Sequence, residues 1–139
     1  MNLNRIVLLD NEAVQALRDP AHRKHRSVMG YVLEAAQSAA RVVEIGVAVP
    51  TTVRVEAGWD RTGPSWAFIN RLRIEDIPLG PDLADAAAGI RKRTGASVTD
   101  AHLGAAIQTA ESDHVTVITS DPGDMRAVAE GKPIQVVAL

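Results

Sequence analysis

Residues 117–125 read VITSDPGDM. The stretch opens as a β-branched, water-avoiding strand and ends in a turn bearing two aspartates three positions apart. Asp121-Pro122-Gly123 is sound turn chemistry by itself, because Asp bonds local amides, Pro fixes φ and Gly relaxes the backbone. The surroundings settle the fold. Upstream, SVTDAHLGAAIQTAES (97–112) has helical spacing and feeds the strand HVTVITS (114–120). Downstream, the helix PGDMRAVAEG (122–131) leads to a second strand, PIQVVAL (133–139). Two strands joined by a helix of this length pair in parallel through a crossover.

The same alternation runs through the rest of the chain. RIVLL (5–9) is a strand, NEAVQALRD (11–19) a short helix, DPAHRKHR (19–26) a polar loop and SVMGYVLEAAQSAAR (27–41) a second helix. VVEIGVAV (42–49) contains the second strand. PTTVRVEAGW (50–59) then starts a helix with Pro in or just before its first turn and Thr available as a cap. RTGPSWAFINRLR (61–73) reads as helical after its Gly-Pro break, and IEDIP (74–78) as a short strand. GPDLADAAAGIRKRTG (80–95) starts a helix at Pro81-Asp82, and its basic last turn complements the dipole before Gly95 ends it. Short strands separated by helices predict a three-layer α/β/α sandwich around a central, mainly parallel sheet.

At 139 residues the chain has room for one core and not for two ordinary domains, so residues 1–139 are read as a single domain. Fifteen Lys plus Arg against 17 Asp plus Glu give a formal charge of −2, so any affinity for nucleic acid must come from a local patch. Cysteine is absent, which excludes disulfides, thiolate metal sites and a Cys nucleophile. The four-residue apolar run before Asp10 is far too short for a signal segment or a membrane span, and a soluble cytoplasmic protein is expected. No Walker sequence, G-x-G-x-x-G loop or nucleophile elbow occurs, so nucleotide cofactors and Ser-His-Asp chemistry are not implied.

In an open parallel sheet, ligands bind outside the carboxyl ends of the strands where strand order reverses. Asp10 directly follows the first strand, and Asp121 follows HVTVITS. Glu56 lies in the helix after the second strand, and Asp100 in the first turn of the helix that feeds HVTVITS. Each alone has a structural explanation, the helix dipole for Asp100 above all. Gathered at one edge they would repel, and must either take up protons or hold a cation. Oxygen ligands with no Cys or His among them suit Mg2+ or Mn2+ rather than zinc. Such ions activate water and stabilise a leaving oxygen, which points to a metal-dependent nuclease or phosphatase.

VLLDNEAV, VPTTVRVEAGW, GASVTDAHLGAA and VITSDPGDM, in this order and spacing, resemble the four acidic motifs of PIN-domain ribonucleases of the VapC toxin type. The resemblance covers nearly the whole chain and rests on the ordered set rather than on any one motif. It implies a PIN-like fold with Asp10, Glu56, Asp100 and Asp121 as the catalytic, metal-binding quartet, and Asp124 as an accessory or alternative acid. It also implies a hydroxyl from Thr119 or Ser120 beside the last aspartate, cleavage of single-stranded RNA, a homodimer, and a cognate antitoxin whose tail blocks the site. Two positions depart from the pattern. Glu12 stands where a small or hydroxyl residue is usual and is read as a helix-starting acid with a possible accessory role, and Met125 replaces an aromatic.

Other readings have less support. A receiver-like phosphoacceptor domain needs an acid at the end of a middle strand and a late Lys at a strand end, and neither is present. A haloacid dehalogenase-like phosphatase would need an aspartate where Glu12 stands and room for a cap domain. An inactive binding or dimerisation module would keep the fold without the chemistry. HRKHR (22–26) is the one dense basic cluster, most simply a solvated loop; Arg23, Lys24 and Arg26 are its candidates for RNA phosphate contact. His22 and His25 give only a weak metal signal, and His102 is read as packing or surface. Trp59, Trp66 and Phe68 are read first as core, with partner docking as the alternative.

Overall fold

The computed structural model describes residues 4–38 and 43–139. Five strands form one sheet: β1 (Arg5–Leu9), β2 (Ile45–Pro50), β3 (Glu75–Ile77), β4 (His114–Thr119) and β5 (Gln135–Ala138). Their spatial order is β3-β2-β1-β4-β5, and every pairing is parallel. Around them run α1 (Asn11–Arg18), α2 (His25–Ser38), α3 (Thr51–Ala57), α4 (Ala67–Asn70), α5 (Pro81–Thr94), α6 (Val98–Thr109) and α7 (Pro122–Ala129). α1 packs on α2 and α4, while α5, α6 and α7 pack on one another; α3 meets both groups, touching α1 and α6. This is the expected three-layer sandwich with a parallel centre.

Sequence dictates which elements lie deepest. β1 has no polar side chain between Ile6 and Leu9, and it sits at the centre of the sheet with Val7, Leu8 and Leu9 buried. α6 is apolar nearly all round, and every residue from Ala101 to Ile107 is buried. Gly104 permits that depth: a Cβ there would stand 2.7 Å from the Val128 Cβ and 2.8 Å from the Val128 carbonyl oxygen of α7. The rigid α6 thereby fixes Asp100 at its first turn.

Several local expectations are corrected. α2 begins at His25, inside the segment read as loop, because Lys24 O already accepts from Val28 N–H; the part of this helix expected at 39–41, and the start of the second strand at 42, lie outside the described residues. The stretch 61–73 is not one helix. Pro64–Trp66 form a 3-10 turn and α4 adds a single turn, since Asn70 turns its side chain back to the Asp60 and Arg61 carbonyls and accepts Trp59 Nε1–H at 2.6 Å. No Thr caps α3; Pro50 holds the cap position without a side-chain bond, and Gly58 ends the helix at φ 75°. Gly123 is not a turn residue of special conformation but part of the first turn of α7, with Pro122 in the initial position. No helix among the described residues is long and apolar enough to cross a membrane.

Candidate functional site

The strand order reverses between β1 and β4, which leave the sheet side by side: from β1 the chain moves outward to β2 and β3, and from β4 to β5. Asp10 directly follows β1 and Asp121 follows β4 by two residues, so both stand at this switch point. α3 brings Glu56 over the same edge and α6 brings Asp100. The result is a polar cleft of about 260 Å³ lined by Asp10, Glu12, Glu56, Asp100, Ser120 and Asp121, with Thr119 in its floor.

Asp10 is the fixed member of the set. It is only 9% exposed. Oδ1 accepts the Ala13 N–H at 2.9 Å and so caps α1, while Oδ2 accepts the Ser120 N–H at 3.0 Å from the end of β4. One carboxylate thus performs the bland task of a cap and also ties β1 to the β4 exit. Burial pushes its pKa above the ordinary 3.8, opposed by hydrogen bonds from Ala13, Thr119 and Ser120, with the charge of Glu12 adding to the rise. Of the two hydroxyl candidates, the buried Thr119 side chain is the one engaged. It accepts the Asp121 N–H at 2.9 Å and bonds the Asp10 carboxylate. Ser120 contributes its backbone N–H, and its side chain is exposed.

Asp100 is half-buried, and burial raises its pKa first. The charges of Asp124, Glu56, Asp121 and Asp10 raise it further, in that order. The other three members of the expected quartet and Asp124 therefore all act on this one carboxyl. Its backbone is held by half of a capping box, with Ser97 Oγ accepting the Asp100 N–H at 3.1 Å. Asp121 occupies the cap position of α7 but makes no side-chain capping bond, so its carboxylate is not consumed by the turn. It instead raises the pKa of the neighbouring Asp124, through hydrogen bonding first and then through its charge. Asp124 lines the adjoining hollow with Asp100 and Ser97 rather than the cleft that holds the other acids.

These side chains line the walls of the cleft without closing on one point. Among the described residues no three His, Asp or Glu side chains are close enough together to enclose an ion as they stand. The donor set itself fits a hard divalent cation, being carboxylate and hydroxyl oxygen throughout. Glu12 is an acid in the first turn of α1 and lines the cleft, and its Oε1 meets His22 Nε2 at 3.1 Å. Through His22 the basic segment is tethered beside the cleft. Arg23, Lys24 and Arg26 do not line it; Arg23 and Arg26 are exposed and Lys24 is half-buried. His25 Nδ1 meets the Ala16 carbonyl at 2.8 Å, so it is structural.

Trp59 and Trp66 are core residues, stacked at 6.2 Å between centroids, with Arg61 and Arg18 over their outer faces at 4.5 and 4.2 Å. Phe68 alone of the three stays at the surface, against His25. Two polar residues escaped the sequence reading. Ser97 was legible, since S-x-x-D before an apolar run is a capping signal. The Thr52 hydroxyl, which meets His102 Nδ1 at 2.8 Å, was not, because the partners are 50 residues apart. His102 is wholly buried, and burial lowers its pKa from 6.5 against the pull of the Ile77 and Pro78 carbonyls.

No protein-family model and no curated protein matches this sequence. Among solved structures, one described as FitAB bound to an IR36 DNA fragment is similar at a TM-score of 0.57, with 16% identity, over 95% of this chain and 94% of that one. The chain therefore shares, over almost its whole length, the PIN-like α/β/α fold that its motif order implied.

Proposed function

We propose that this chain is a PIN-domain endoribonuclease, dependent on Mg2+ or Mn2+, that cleaves single-stranded RNA by attack of water on the phosphodiester and acts as the toxin of a toxin–antitoxin pair. One observation carries the reading: acids from four separate parts of the chain line a single cleft at the switch point of the sheet, where Glu56, Asp121 and Asp10, with Asp124 from the adjoining hollow, raise the pKa of Asp100. Such clustering is costly to a fold and is usual where chemistry is done. Asp10, Glu56, Asp100 and Asp121 would hold the cation, with Asp124 as an accessory or alternative acid from the adjoining hollow. When bound, a divalent ion supplies an activated water and stabilises the leaving oxygen. The chain's own contribution is orientation. Asp10 is locked by two N–H bonds, whereas Glu56 and Asp121 are exposed and free to rotate toward it. Thr119 holds the Asp10 carboxylate and the Asp121 backbone in register.

The proposal includes a homodimer and a cognate antitoxin that binds DNA; the solved structure whose fold this chain shares is described as FitAB bound to a DNA fragment. The phosphatase alternative is disfavoured because Glu12, in the place of its second aspartate, is engaged by His22. The test is cleavage of a mixed single-stranded RNA by purified protein with Mn2+, against the same protein in EDTA and against Asp10→Asn and Asp100→Asn. Loss of cleavage in all three controls is expected. Cleavage that persists in both variants would remove the enzymatic reading, and absence of cleavage by the wild type across varied RNAs would favour a binding module.

A further inference from the structure

Thr52 and Glu56 lie four residues apart on α3, and so on one face of that helix; Asp100 and His102 lie two apart on α6, on different sides of it. Asp100 faces the cleft while His102 is wholly buried behind it. Nδ1 of His102 and Oγ1 of Thr52 are 2.8 Å apart. Among the described residues this is the single side-chain hydrogen bond between the helix that carries Glu56 and the helix that carries Asp100. We infer that Thr52 and His102 are a positioning pair that sets the separation of Glu56 from Asp100 across the cleft. The inference rests on the reading of those acids as cation ligands.

The chemistry of the pair fixes its polarity. His102 Nε2 has no partner of hydrogen-bonding geometry, and the groups nearest to it in effect are the carbonyls of Ile77 and Pro78, which can only accept. The ring proton therefore belongs on Nε2, and Nδ1 accepts from the Thr52 hydroxyl. The imidazole thus joins α6 to α3. Thr52 is in the first turn of α3, where a hydroxyl would ordinarily satisfy its own helix; here it reaches across to α6 instead. A helix transmits a shift at Thr52 to Glu56 as a rigid body, so loss of the bond loosens one wall of the cleft relative to the other.

The test is Mn2+ affinity of the full chain by isothermal titration calorimetry, with unfolding in urea measured on the same samples. Thr52→Val keeps the shape and removes the donor; the Mn2+ dissociation constant should rise about tenfold, the lower end of the effect seen for groups that orient metal ligands. Thr52→Ser restores the hydroxyl and should return affinity to within about twofold of wild type. Val53→Ala loosens the buried side of α3 without touching the bond, and should lower the urea midpoint with little change in affinity. If Thr52→Val does not fold, Thr52→Ala takes its place. An unchanged dissociation constant without the hydroxyl, or an equal loss in Val53→Ala, overturns the positioning role alone. Wild-type protein that binds no Mn2+ overturns both this inference and the cation reading beneath it.

Discussion

Replacing Asp100 by Asn should make the metal-free protein more stable while abolishing its response to metal. Asp100 is the carboxyl on which burial and the charges of Asp124, Glu56, Asp121 and Asp10 all act in the unfavourable direction. At an effective dielectric of about 20, two carboxylates roughly 7 Å apart repel by about 2 kcal/mol. Asp100 is half-exposed, and solvent and salt reduce the combined effect of its neighbours to about 1.5 kcal/mol. Losing a negative charge from the first turn of α6 offsets about 0.5 kcal/mol, leaving a net gain of about 1 kcal/mol. With 139 residues and about 2.1 cal/mol/K of unfolding entropy per residue, that gain is a rise of about 3 °C in melting temperature in EDTA. The wild type at Mn2+ a hundredfold above its dissociation constant should gain about 2.7 kcal/mol, or about 9 °C. Differential scanning calorimetry of both proteins, with and without Mn2+, reads all four values. An Asn variant that melts below the wild type in EDTA and keeps the full Mn2+ shift would refute the argument.

Gly104→Ala should destabilise the chain by about 1 to 3 kcal/mol, because its new methyl would meet the Val128 Cβ at 2.7 Å and the Val128 carbonyl oxygen at 2.8 Å; chemical denaturation checks this, and a neutral result would mean α6 and α7 can separate freely. Response to pH has a definite sign. Asp10 and Asp100 are raised above 3.8 in the fold, so the folded state holds more protons than the unfolded one just above that pH, and their contribution to metal-free stability declines as pH rises through their folded pKa values. Glu130, held down to about 2 by Arg93 and then Gln108, acts oppositely: its contribution is present above 4.5 and is lost as pH falls toward 2. Because protons and metal compete for the same oxygens, the Mn2+ shift in melting temperature should grow from pH 4 to pH 7; a flat profile in calorimetric scans would contradict the carboxylate assignment.

What could be read from the sequence followed how local the cause was. β1 and β4 announce themselves as apolar runs, and the acids at their ends are visible because a parallel sheet has a defined functional edge. The same logic marked Glu56 and Asp100, whose helices follow directly from the strand pattern. The segment 61–73 was misread as one helix because its course is set by the Asn70 side chain bonding back to residues nine and ten positions earlier. The bond between Thr52 and His102 was missed for the stronger reason that its partners lie 50 residues apart, and no spacing rule reports on it. The contest between Asp121 and Asp124 also depended on three dimensions: three residues apart in sequence, they line different hollows that share Asp100.

The central claim is that Asp10, Glu56, Asp100 and Asp121 are gathered to share a divalent cation. Crystals soaked in Mn2+ and measured at the manganese absorption edge test it directly. The account predicts an anomalous peak in the cleft within coordination distance of Asp10 and Asp100, with Glu56 or Asp121 turned toward it. Manganese bound only elsewhere on the molecule, or a cleft that stays without a peak at saturating Mn2+, would contradict it.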